Sequence, residues 1–338
     1  MSLRNSVIIS IILVYALLVA GASAMSRLQT PAQEEKRQTV DPAAWGSNHA
    51  GKAIPEYVRG DECLFCHRND IGTTWQKTSH GTTLRHREEA PELIKLLQSQ
   101  AALSGVAPEV QFFLGSRHHV RFLKKEGFGK LSLLSAKADL RPDRQLESLV
   151  GGDKPTWVKD RFANQCAGCH ATAVDPSTKA ITLYGLDCST CHGDVTLDHT
   201  KDTSLIWLSK KRRNDPKAIT SICAQCHLRG GKAKSTGLPY ANNFVAGDNL
   251  FQDYAADFAK ADDESLNPGD RHVWRSVREV VLYGASTPTC LSCHDVHAGS
   301  SFKHRRLPRT AMCIDCHSAD GPYKPAKAYT VNSQVCDY

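Results

Sequence analysis

The chain has 338 residues, with 42 Lys and Arg against 35 Asp and Glu, for a formal charge of +7. Its hydropathy excludes a multi-spanning membrane protein, because a single segment near the N-terminus approaches the length a bilayer requires. The outlier is cysteine: 13 residues, twelve of them in six copies of Cys-x-x-Cys-His.

The N-terminus reads first as an export signal over residues 1–24. Arg4 precedes an apolar run at 7–20, and Ala22, Ser23 and Ala24 form a small-residue cleavage site. An uncleaved anchor is the alternative, and no other segment offers a stable membrane span. Residues 25–56 are polar and read as a linker. Residues 57–230 form a region with the first four motifs, opening on Cys63, Cys66 and His67. Residues 88–102 are expected to be a helix interrupted near Pro91, with Leu93, Ile94, Leu96, Leu97 and Leu103 at helical spacing. Three short strands are expected at 110–114, 120–124 and 130–134, with Gly127 and Gly129 in a turn. Residues 156–164 suit a helix leading into Cys166, Cys169 and His170. Two more motifs follow closely: Cys188, Cys191 and His192, then Cys223, Cys226 and His227. The stretch 231–267 is rich in Gly, Pro, Asn and Asp and reads as a loop-rich connection. Residues 268–319 form a doubled module, with a helix expected from Asp270, then Cys290, Cys293 and His294, then Cys313, Cys316 and His317. Residues 320–338 are a tail that carries the odd cysteine, Cys336.

The motif has a geometric meaning. Residues i, i+3 and i+4 share one face of a helical turn. Two thiols so placed can meet the two vinyl groups along one porphyrin edge, and the adjacent histidine drops onto the iron. Zinc sites and redox dithiols also use Cys-x-x-Cys, but neither needs histidine directly after the second cysteine. The sequence therefore predicts six covalently bound haem c groups, with iron held by His67, His170, His192, His227, His294 and His317. Their roughly twelve propionates would bring the oxidised chain to about zero net charge. The basic excess thus balances propionates, and nucleic-acid binding is not indicated. The fold class expected is mainly α with much irregular structure, built around six haems, with a small β element near 110–135. Haem faces supply much of the apolar surface, and Trp75, Trp157, Trp207 and Trp274 are expected to pack on them.

Each iron takes a second axial ligand. Beyond the initiator, the methionines are Met25 and Met312, both poorly placed, so histidine is expected. The candidates are His80, His199, His272 and His297, then His118 or His119, then His49. Bis-histidine iron is closed to substrate and low in potential.

The motif 63–67 followed by Trp75, Thr78 and His80 resembles the opening of multihaem cytochromes related to the tetrahaem electron acceptor of hydroxylamine oxidoreductase. Gly115 to His118, Thr172 after the second motif, Gly185 before Cys188, His199 after the third motif and Arg229 after the fourth are similar to the same family. The closing portion resembles a doubled Cys-x-x-Cys-His module, and the likeness spans roughly residues 57–318. The resemblance implies periplasmic electron transfer, stacked and perpendicular haem pairs, and axial roles for His80, His118, His199 and His297. Six sites depart from the tetrahaem pattern.

Together these readings predict an exported, periplasmic or secreted hexahaem cytochrome that passes electrons between a redox protein donor and an acceptor, a carrier rather than a catalyst. Two alternatives remain at this stage. One is a reductase or oxidase of a small nitrogen or sulfur compound at a five-coordinate haem; the other is a subunit of an extracellular filament.

Overall fold

The computed structural model describes residues 39–55, 60–115, 119–140, 148–150, 154–175, 177–208, 215–286 and 288–297. By its backbone contacts the chain divides into two units, Met1–Thr39 and Val40–Tyr338, and the description below concerns the second. The export signal over 1–24, the sixth motif with Cys313, Cys316 and His317, the tail with Cys336, and the candidate ligand His118 lie outside the described residues.

The first motif closes helix α1 (Gly60–His67). Helix α2 (Pro91–Ser99) starts on Pro91, whose missing N–H costs nothing at a first helical position. It buries Leu93 and Leu97 on one face. Gln100 then turns extended (φ −99°, ψ 117°) and separates α2 from α3 (Ala101–Ser104), which adds Leu103 to the same face. The interruption falls after Ser99 rather than at Pro91.

The β structure is larger than the sequence predicts. Strands β1 (Leu84–His86), β2 (Phe112–Leu114), β3 (His119–Lys125), β4 (Leu131–Asp139), β5 (Ser148–Val150) and β6 (Trp157–Val158) form one antiparallel sheet. The order is β1-β2-β3-β4-β5, with β6 also paired to β4. The expected element at 110–135 is its middle. Its outer strands are two or three residues long, too short to show a period of two. The helix expected over 156–164 is divided for the same reason. Leu133 and Leu134 pair with Val158 and Trp157, so backbone hydrogen bonding claims those residues for the sheet. Helix α4 (Arg161–Gln165) follows after Asp160 in a left-handed conformation.

Both faces of this sheet are buried. Val120, Phe122, Leu134, Ala136 and Ala138 pack with Leu93, Leu97 and Leu103 on a face that holds no motif residue. Phe112, Leu114, Leu123, Leu131 and Leu133 pack on the other against Phe162, Ala167 and Ala171, which surround the second motif. Strand alternation sends neighbouring Phe122 and Leu123 to opposite cores, and the register of β3 on β4 shifts between Arg121 and Leu123.

Next come α5 (Ala167–His170), the hairpin β7 (Ala171–Val174) and β8 (Ile181–Tyr184), and α6 (Ser189–His192). Helix α7 (Pro216–His227) is capped by Asp215, whose side chain accepts from the Lys217 and Ala218 amides. The predicted loop 231–267 is packed. Strand β9 (Lys232–Ala233) pairs with β10 (Tyr254–Ala255) around α8 (Leu250–Asp253). The Asp253 carboxylate accepts from Ser235 N at 2.9 Å and Ser235 Oγ at 2.8 Å. Helix α9 (Pro268–Tyr283) begins two residues before Asp270, capped by Asn267, and stops at Gly284 in the left-handed region (φ 68°). Helix α10 (Cys290–Cys293) carries the fifth motif.

Residues 40–55, part of the stretch 25–56 expected as linker, are fastened to this second half. Asn249 Nδ2 donates to Pro42 O at 2.9 Å, and Trp45 meets Phe251 with centroids 5.7 Å apart. Trp274 is buried among protein side chains, edge-on to Phe258, and Trp157 packs beside the motif-free core. The acidic run at 262–264 gives Asp262 to Arg278 and Arg275.

Candidate functional site

Five motifs are described, each ending a helix or forming a short one. Helix ends leave the backbone free to change direction after the histidine, which suits a ligand that must turn back over its own thiols. Their sulfurs draw the motifs together across the sequence. Cys63 lies beside Cys188, Cys169 beside Cys226, and Cys223 beside Cys290, each pair close enough for one thiol to shift the ionisation of the other. Cys191 lies within electrostatic reach of both Cys223 and Cys226. The second and fourth motifs also meet through backbone: Cys169 Sγ donates to Cys226 O at 3.9 Å and Cys226 Sγ to Gly168 O at 3.7 Å.

Two side chains that the sequence reading passed over organise this cluster. Asp187 Oδ2 accepts from Gly60 N at 2.8 Å, while its Oδ1 accepts from Ser189 N and Ser189 Oγ at 3.2 Å. One carboxylate thus anchors the helices of the first and third motifs. Asp70 Oδ2 stands 3.1 Å from His67 Nδ1. Neither could be found by periodicity, although Asp187 directly precedes a motif and Asp70 follows one by three residues. Thr172, already singled out, donates from Oγ1 to Gly185 O and accepts from Asp187 N, both at 2.9 Å.

Gly168 lies against the ring of Tyr240, which a Cβ would overlap. Tyr240 is fully buried and its hydroxyl donates to Ala163 O, so the ring cannot retreat. Gly168→Ala is expected to destabilise the protein by about 1–3 kcal/mol, the usual cost of overpacking. The check is a lower midpoint of thermal unfolding at unchanged haem content.

The imidazoles come together in pairs. His67 and His199 have centroids 6.3 Å apart, His192 and His297 5.9 Å, and His80 and His227 6.0 Å. His272 lies within electrostatic reach of His294, as does His80. Trp75 stacks on His80 at 6.4 Å and meets His297 edge-on. Two other candidates are placed differently. His49 Nδ1 is 2.7 Å from Asp248 Oδ2, and His119 Nδ1 is 3.6 Å from Asp139 Oδ2. Among the described residues no ring contact joins either to a motif histidine.

Burial sets the charge of these rings. It pushes His170, His192 and His227 down to about 4, with Arg229, His297 and His80 respectively adding to the effect. Burial also lowers His80 and His272. At neutral pH these imidazoles are uncharged, the form that binds metal. His170 and His192 further bury Nδ1 atoms with no hydrogen-bond partner. Desolvated, unpartnered rings beside paired thiols fit a large apolar group that ligates through nitrogen.

Comparison with known proteins agrees. The family described as "Cytochrome c554 and c-prime" matches residues 132–193, which hold the second and third motifs. The family described as "Doubled CXXCH motif" matches residues 284–322, which hold the fifth and sixth. These spans are narrower than the 57–318 over which the sequence resembles multihaem cytochromes. No curated protein matches the chain. Among solved structures it is similar to the outer cell wall cytochrome OcwA, at 19% identity and a TM-score of 0.50, over 78% of this chain and 68% of that one. It also matches an undecahaem cytochrome from the S-layer of Carboxydothermus ferrireducens, at 15% identity and a TM-score of 0.43, over 80% of this chain and 44% of that one. Fold and attachment motifs together define the class: a multihaem c-type cytochrome whose haem is held covalently through Cys-x-x-Cys-His. Among the described residues no helix is long and apolar enough to cross a membrane.

Proposed function

We propose that the chain is an exported hexahaem cytochrome that relays electrons through low-potential, bis-histidine haems between a redox donor and an acceptor. The observation that carries this reading is the spacing of the imidazoles. Two rings that share one iron from opposite sides, with metal–nitrogen bonds of about 2 Å, have centroids about 6 Å apart. His67 with His199, His80 with His227 and His192 with His297 stand at 5.9–6.3 Å. By proximity His272 serves His294, and His118 or His119 is left for His170. Iron bound at these pairs supplies a one-electron couple and no open position.

The side chains have distinct tasks. The paired imidazoles would hold iron from both sides, and two such nitrogen donors would set the couple toward the reducing end of the range that axial ligands allow. The thiols fix neighbouring haem edges against one another, and tunnelling falls steeply with the gap between edges. Their proximity supports an order first to third, third to fourth by electrostatic reach, and fourth to both second and fifth. The fourth motif, on the buried helix α7, is thus a junction. Export rests on the predicted signal and accords with a structural neighbour described as an outer cell wall protein.

Haem quantification with EPR of the oxidised protein tests the proposal. Six haems per chain, all low-spin, are expected. A high-spin ferric centre integrating to a whole haem would overturn the closed-carrier reading and favour catalysis at that iron.

A further inference from the structure

The motif histidines differ in what meets the nitrogen turned away from the axial position. After α1 the chain makes a wide turn over Arg68–Gly72. That turn brings Asp70 back beneath the motif it follows, with Oδ2 3.1 Å from His67 Nδ1. The carboxylate is aimed by its own backbone, because Ile71 N donates to Oδ1 at 2.7 Å. The same position, three residues after the histidine, holds Ala173, Val195, Gly230 and His297 at the other described motifs. His170 and His192 bury Nδ1 without any partner. Asp320 occupies the position after the sixth motif, outside the described residues.

A carboxylate that accepts from the outer nitrogen of a ligating imidazole raises the basicity of the inner one and fixes the ring's orientation. A more basic ligand favours the ferric state. We propose that Asp70 is a positioning residue that lowers the reduction potential of the first haem and sets it apart from the second and third. This rests on His67 being an iron ligand, as the proposed function holds. The site lies at one end of the thiol contacts and at the surface, where Phe65 is 84% exposed and Cys66 is exposed. A low-potential terminal centre of this kind can deliver electrons into the chain of haems.

The test uses the full-length holoprotein. Asp70→Asn keeps the shape and an acceptor oxygen but removes the charge; Asp70→Glu keeps the charge. Potentiometric titration, with EPR of the oxidised state, should show one centre of the Asn variant moved to higher potential and one low-spin signal shifted in its g values. The Glu variant should return both toward wild type. A titration and spectrum of the Asn variant that superpose on wild type, at equal haem content, would overturn the inference. A high-spin centre or missing haem in the wild type would count instead against the proposed function, so the two failures are separable.

Discussion

His80→Ala is expected to retain every haem and to convert one low-spin centre to high-spin. The thioethers and His227 are untouched by the change, so attachment persists. The variant loses the ring that faces His227 at 6.0 Å and 83°. His80 is drawn into the interior, stacked on Trp75, and burial holds it below the ordinary histidine range and therefore neutral. Replacing an imidazole by water or nothing weakens donation to the ferric ion, so the potential of that centre should rise. Each rise of about 59 mV makes the centre tenfold easier to reduce. Because the fourth motif touches the second and fifth through sulfur, a raised potential there traps electrons at the junction. Flash reduction should then show electrons resting on one haem rather than spreading over several. An EPR spectrum that stays wholly low-spin would remove His80 from the ligand set and leave His227 in need of another partner.

The largest effect on stability is expected at Trp274. Its side chain is 1% exposed and sits in a cluster with Phe251, Tyr254, Val277 and Val281. Phe258 meets it edge-on at 6.1 Å, and Lys260 Nζ lies 5.6 Å from the ring centre. Trp274→Ala should cost about 3–5 kcal/mol, the lost transfer energy plus an unfilled cavity. In a chain of this size that corresponds to a fall on the order of 10 °C in the unfolding midpoint. Far-UV circular dichroism reads it directly, with haem absorbance reporting whether cofactor loss accompanies unfolding. Phe128→Ala is the control. That ring is 97% exposed at the tip between β3 and β4, and its removal should leave the midpoint unchanged.

What the sequence disclosed follows from the range of the forces involved. The attachment motifs are spelled within five residues and can be read locally, whereas the sequence reading does not single out α7 and places the start of α9 at Asp270 rather than at its Asn267 cap. Pro216 and Pro268 mark first helical positions because proline's missing N–H matters least there. The sheet was legible where strands are long, at β3 and β4. It was illegible at β5 and β6, which exist because β4 has backbone groups to satisfy. The pairing of the imidazoles was the least legible part. His80 faces a motif that begins 143 positions later, and nothing near either residue records it. The candidate list was nevertheless chemically constrained, since the lack of usable methionine left histidine as the remaining strong donor.

The bond from Asp187 to Gly60 spans 127 positions of sequence. Polypeptides are made from the N-terminus onward. The peptide 60–67 therefore emerges well before its anchor has been synthesised. The docked position of the first attachment site thus depends on a residue made much later in the chain.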